Sequence, residues 1–170
     1  MSAYPRWHST WHTAWQGSDI VVFRDDEEID RFAADQIERV IFVHDGLPQS
    51  AGELPFAVVE LAEEAIVLPA DTGFAGRVHF ERQSFWDARA CVYWADLRTA
   101  ALPNSCMARG GFGWLQRRVR FARLTRAELS PWLERWSLQG PQSWDQRRWQ
   151  RIERNRPFAS SGHGGAASLR

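Results

Sequence analysis

The chain contains no lysine: all 21 of its basic residues are arginine. Codon drift in a GC-rich genome explains such a bias, and so does a need for planar, bidentate guanidinium groups. Positions far from any motif lack lysine too, which favours drift. Cysteine is nearly absent, with only Cys91 and Cys106. Two thiols are too few for the dense framework of a small secreted scaffold, so both read as reduced and partly buried. No run approaches the roughly 18 apolar residues of a membrane span. Phe56 to Val59 and Ala65 to Leu68 break within a few positions, and Met1 to Gln16 has no continuous apolar segment of the secretory type. These absences point to a cytoplasmic protein without a membrane partner.

Net charge is also absent, because 21 acids balance 21 arginines. That balance hides a split. Residues 1–108 hold 17 acids against 8 arginines, whereas residues 109–170 hold 13 arginines against 4 acids. The basic segment therefore needs a partner, either the acidic part of the same chain or an external one. What the chain has in excess is tryptophan, ten in 170 residues. An apolar fraction of 44% with 25% charged residues is ordinary for a folded domain. The length fits one domain, expected over residues 1–158, with a polar, glycine-rich tail at 159–170 of disordered composition.

Trp7, Trp11 and Trp15 recur every four residues, so this segment is expected to be a short helix with a Trp stripe or an extended arm. Ile20 to Arg24 reads as a strand, the acidic run Asp25 to Asp30 as a turn, and Ile37 to His44 as the best strand of the chain. Leu54 to Leu61 and Ala65 to Leu68 read as a hairpin, and Cys91 to Trp94 as a further strand. Val78 and Phe80 alternate with His79 and Glu81, which predicts a strand with the first pair inward, while Phe85, Trp86 and Arg89 suit a helical turn. Trp114 to Leu124 fits a helix face and a strand equally. The glycine-rich stretch Asn104 to Gly113 marks the boundary between the acidic and basic parts.

Thr125 with Glu128 forms a capping box, with the regular helix expected to begin after Ser130 so that Pro131 falls at its start. Ser143 with Gln146 forms a second box, opening a helix Trp144 to Arg154. There Trp149 and Ile152 share an apolar face with Trp144 nearby, and arginines cover the rest. Strands followed by helices predict an α+β fold: a small, mostly antiparallel sheet of about five or six strands, then C-terminal helices. A pleckstrin-homology-like bent sheet with a helical cap is one topology this pattern allows.

Tests for chemistry mostly fail. His79-x-Glu81 has the first half of a zinc-deaminase signature, but Pro103 is followed by Asn104, Ser105 and Cys106 rather than Pro-Cys-x-x-Cys. His8 and His12 supply two metal ligands where zinc needs three or four. His44-Asp45 lie on opposite faces of a strand. Gly110-Gly111-x-Gly113 lacks the lysine of a phosphate loop. The sequence thus names no catalytic residue, no metal site and no cofactor. It does offer arginine interleaved with aromatic rings, the chemistry of binding hot spots and of phosphate and base contacts. Candidate binding residues are Trp7, Trp11, Trp15, Arg117, Arg118, Arg120, Arg147, Arg148, Trp149 and Arg151. The expectation is an interaction module, with a protein partner or self-association ahead of nucleic acid, and no defined small-molecule ligand. Nucleic-acid binding through the last third is the alternative; an enzyme assembled from scattered residues such as His44, His79 and Glu81 is the third reading.

Overall fold

In the computed structural model, residues 9–46, 48, 50–108 and 118–154 are described, the last five by backbone alone. The fold is α+β. Its first unit is a meander of β1 (Trp11–Gln16), β2 (Asp19–Arg24) and β3 (Glu27–Ala33). The second is a six-stranded sheet in the order β8-β6-β5-β4-β7-β9. Its members are β4 (Arg39–His44), β5 (Phe56–Glu60), β6 (Glu64–Pro69), β7 (Val92–Asp96), β8 (Ala122–Thr125) and β9 (Leu138–Gln139). All pairings are antiparallel except β4 with β7, where His44 lies opposite Asp96 at the carboxyl ends of both strands.

Period-two alternation gives the larger sheet two apolar faces. Val40, Phe42, Ala57, Val59, Ile66, Leu68, Val92 and Trp94 face Ile20, Val22 and Phe32 of the meander, together with Phe74, Val78, Trp86 and Trp144. Ile41, Val43, Phe56, Val58, Ala65, Val67 and Ala95 face the other way, onto Leu129, Leu133, Trp136, Ala100 and Cys106. The sheet is therefore a middle layer, which explains why β5 is buried along its whole length.

The connection from β6 to β7 is helical: a π-helical turn Phe74–Val78, then α1 (His79–Glu81) and α2 (Gln83–Arg89). This corrects the strand expected at Val78 to Glu81. Consecutive residues Val78 and His79 are both buried, while Phe80 is 46% exposed and Glu81 pairs with Arg77 at 2.6 Å. An i,i+4 ion pair and two adjacent buried residues are helical signatures that a short alternation cannot reveal. The Trp15 indole N–H donates to the Val78 carbonyl at 2.7 Å and fixes this segment on β1.

Three other segments depart from expectation. The acidic run supplies only a two-residue turn, Asp25 and Asp26 at φ +52° and +65°, after which Glu27–Ala33 pairs with β2. Arg31 offsets the charge there by binding Glu28 at 2.8 Å and Asp19 at 3.2 Å. Trp11 and Trp15 lie on a strand, extended as the arm reading has it but paired in a sheet, because a spacing of four keeps one face in a strand as it does in a helix. The helix α3 (Arg126–Leu133) begins at Arg126, not after Ser130, and carries Pro131 inside it. Its capping box sets the start: Glu128 N–H donates to Thr125 Oγ1 at 3.2 Å and Thr125 N–H donates to Glu128 Oε2 at 2.8 Å. Pro131 then removes one amide donor close to the helix end.

The second capping box forms as expected, with Ser143 N–H on Gln146 Oε1 at 2.9 Å and Gln146 N–H on Ser143 Oγ at 3.2 Å. It opens α4 (Trp144–Arg154). Among the described residues nine strands exceed the five or six expected, because β1, β3 and the short β8 and β9, which carry little strand signal, outnumber the one expected strand, at Val78, that is lost. The topology leaves the pleckstrin-homology-like closure unestablished. Both cysteines are free and buried, and burial raises both thiols above their ordinary pKa. Among the described residues no helix is long and apolar enough to cross a membrane.

Candidate functional site

Of the ten binding candidates, Trp7 and Arg117 lie outside the described residues, and Arg151 is described by backbone alone. Trp11 and Trp15 are half-buried against the core shared by the two sheets. Trp11 packs on Phe121 with centroids 5.7 Å apart, and Trp15 packs on Phe85 and Trp86 under the Arg82 guanidinium, 4.1 Å from its ring. Arg118 and Arg120 are exposed, and Arg120 Nε donates to the Ser105 carbonyl at 2.6 Å. Arg148 is exposed on α4.

Arg147 turns inward instead. Its guanidinium lies 4.7 Å from the Trp94 ring, donates to Gln139 Oε1 at 3.2 Å, and places Nη2 2.9 Å from His44 Nε2. The reason is register. His44 and Asp96 close the parallel pair on the face that α4 covers, so a residue one turn into α4 meets His44. Burial first, and the Arg147 charge second, hold His44 below its ordinary pKa, against the opposing pull of Asp96 and Asp45. Asp96 in turn is held well below the carboxylate range by hydrogen bonds from Arg98. The Gly46 N–H also approaches His44 Nδ1, at 3.2 Å. A neutral imidazole has one acceptor nitrogen, so it accepts from only one of these two donors.

Two arginines of the basic segment join the acidic part directly. Arg123 binds Asp30 at 2.6 Å and Glu64 at 2.5 Å, tying the meander to the larger sheet. Arg126 pairs with Glu38 and lies 3.8 Å from Glu60, a buried carboxylate that Arg39 also contacts. Such internal pairing spends guanidinium groups that an external anion would need.

Trp149 behaves oppositely. The sequence placed it on the apolar face with Trp144, yet Trp144 is 6% exposed and Trp149 is 58% exposed. Five residues at 100° each rotate the side chain about 140° around the helix, off the buried face. The ring borders a cavity of about 400 Å³ between α2, the start of β7 and α4, within the size range of ligand sites, about 300–1,000 Å³. Trp86, Asp87, Gln142, Asp145 and Gln146 line it with Trp149. The cis peptide Gly140-Pro141 turns the chain from β9 toward this wall. Among the described residues, neither Asp87 nor Asp145 forms an ion pair and Asp145 receives the Gln83 amide. Trp86 is 1% exposed, and its indole Nε1–H has no acceptor among the described residues. The wall thus holds carboxylates, amides and ring faces, and none of its described residues is a cation.

Sequence reasoning reached only one side of this site, through the capping box and Trp149. Trp86 and Asp87 had no signal beyond the helical turn read at Phe85 to Arg89. His79 and Glu81, the enzyme candidates, separate: Glu81 is on the surface with Arg77, and His79 is buried against Trp86, with ring centroids 5.9 Å apart. Among the described residues no three of His, Cys, Asp and Glu gather as a metal site would require.

The fold defines the chain as an α+β protein with a layered mixed sheet. No family model, no curated protein and no solved structure matches it.

Proposed function

We propose that the chain is a protein-binding module that engages its partner at the cavity beside Trp149. The observation that carries this reading is a large aromatic side chain left 58% exposed at the mouth of a cavity, in a fold that packs Trp86, Trp94, Trp136 and Trp144 nearly completely. An exposed tryptophan next to a concavity is the residue type and setting of an interface hot spot. The internal pairing of Arg123 and Arg126 favours a protein partner over nucleic acid, because those charges are already matched. Two carboxylates in the cavity wall also repel phosphate. A cytoplasmic setting agrees with two free, buried thiols.

The test is quantitative capture from a nuclease-treated extract of the source cell by immobilised wild-type chain, Trp149→Ala and Arg118→Ala/Arg120→Ala. The reading expects a defined protein set retained by the wild type and the arginine variant and lost by Trp149→Ala. Equal retention by all three overturns it. Loss with the arginine variant, together with oligonucleotide binding whose log–log salt slope is near −0.9 per phosphate contacted, would install nucleic acid instead.

A further inference from the structure

We infer that the group seated in this cavity is the guanidinium of an arginine side chain on the partner, an assignment that rests on the binding-module reading above. Two observations converge on it. Asp87 and Asp145 bring two carboxylates to one wall, and among the described residues neither forms an ion pair and no lining residue is a cation. A carboxylate accepts two parallel N–H bonds from a guanidinium, a geometry an ammonium cannot reproduce. The Trp149 ring stands exposed beside them with no cation over it among the described residues.

The second observation is the chain's own habit. Arg82 covers Trp15 at 4.1 Å and Arg147 covers Trp94 at 4.7 Å, so indole faces in this fold are finished by guanidinium planes. A flat cation is attracted to an indole face, and more strongly as water is excluded. Trp149 repeats the arrangement with its upper half missing, and the neighbouring acids supply the charge that would hold a guanidinium there.

Gln142 and Gln146 add amide groups that can meet the backbone polar atoms of a peptide. A free phosphate or a nucleobase brings no charge that matches the two acids.

The probe is the blocked tripeptide acetyl-Gly-Arg-Gly-amide, titrated into the full chain with its tryptophan indoles labelled with nitrogen-15. The same peptide with citrulline, lysine or glutamate in place of arginine is titrated in parallel. Saturable shifts of the Trp149 and Trp86 indole signals with the arginine peptide are expected, with affinity at least about tenfold weaker for citrulline. Lysine should fall between them. Asp87 and Trp149 are exposed, so Asp87→Asn and Trp149→Ala should keep the thermal midpoint and each weaken the arginine peptide about tenfold. Equal binding of the citrulline peptide, binding unaffected by Asp87→Asn, or no saturable shift at millimolar peptide overturns the assignment. If the arginine peptide fails while Trp149→Ala still strips protein from the extract, the module stands and the guanidinium falls. If both fail, so do both readings.

Discussion

Replacing His79 with phenylalanine should flatten the acid side of the stability curve. His79 is 1% exposed, stacked at 22° on Trp86 and edge-on to Phe42 at 5.4 Å, and its Nε2 has no partner among the described residues. Burial pushes its pKa from 6.5 down to about 4, against a smaller upward pull from Asp145. The folded chain therefore keeps this imidazole neutral where the unfolded chain has already taken a proton. Because the unfolded state binds more protons between pH 6.5 and about 4, stability falls as pH drops through that window. At 1.36 kcal/mol per pKa unit, the wild type loses about 2 kcal/mol between pH 7 and pH 5, and about 3 kcal/mol by pH 4. Phenylalanine keeps the ring contacts and removes both the titration and the unpartnered nitrogen. Glu64 and Glu128, held below their ordinary pKa by hydrogen bonds from Arg123 and Thr125, also lose stabilisation in acid. They do so mainly below about pH 4.5 and equally in both proteins. His44, lowered by burial and Arg147, likewise cancels in the comparison. Urea unfolding at half-unit pH steps reads the difference: with a slope of about 2 kcal/mol/M, the wild-type midpoint should fall about 1 M further than the variant's from pH 7 to pH 5. Parallel midpoint curves for the two proteins would refute the argument.

Two further expectations concern the elements that hold the site. Thr125→Ala removes the acceptor for the Glu128 N–H and half of a reciprocal pair, and should cost about 1 kcal/mol in denaturant unfolding, with Thr125→Ser restoring most of it. Gly140 sits at φ +133°, and a Cβ there would lie 3.0 Å from the Val92 carbonyl oxygen and 3.2 Å from Tyr93 Cα. Gly140→Ala should therefore cost about 1–3 kcal/mol. It should also shift the indole signal of Trp94, whose Nε1 donates to the Gln142 carbonyl at 2.8 Å. An alanine variant with the wild-type midpoint would remove the strain argument.

The local signals in this sequence were those whose physics is local. The strands at Ile20, Val40, Phe56 and Ile66 are runs of β-branched and apolar residues whose preference for a pleated, buried surface needs no knowledge of partners. The capping boxes at Thr125 and Ser143 pair groups three residues apart, so they could be read without the fold. The charge split, too, was legible, and Arg123 with Arg126 shows part of its answer inside the molecule. What the sequence could not decide was whatever depends on neighbours distant along the chain. Glu27–Ala33 became a strand because β2 offered it an edge, despite its acids. Val78 to Glu81 became helical because the crossover to β7 had to be covered, with Trp15 pinning it across 63 residues. Trp144 and Trp149 look alike in the sequence, and only the docking of α4 buries one and exposes the other. The cavity between Trp149 and Trp86 exists only once α2, β7 and α4 meet, so the site belongs to tertiary structure: residues 86 and 149 become its walls through packing, not through any pattern that joins them.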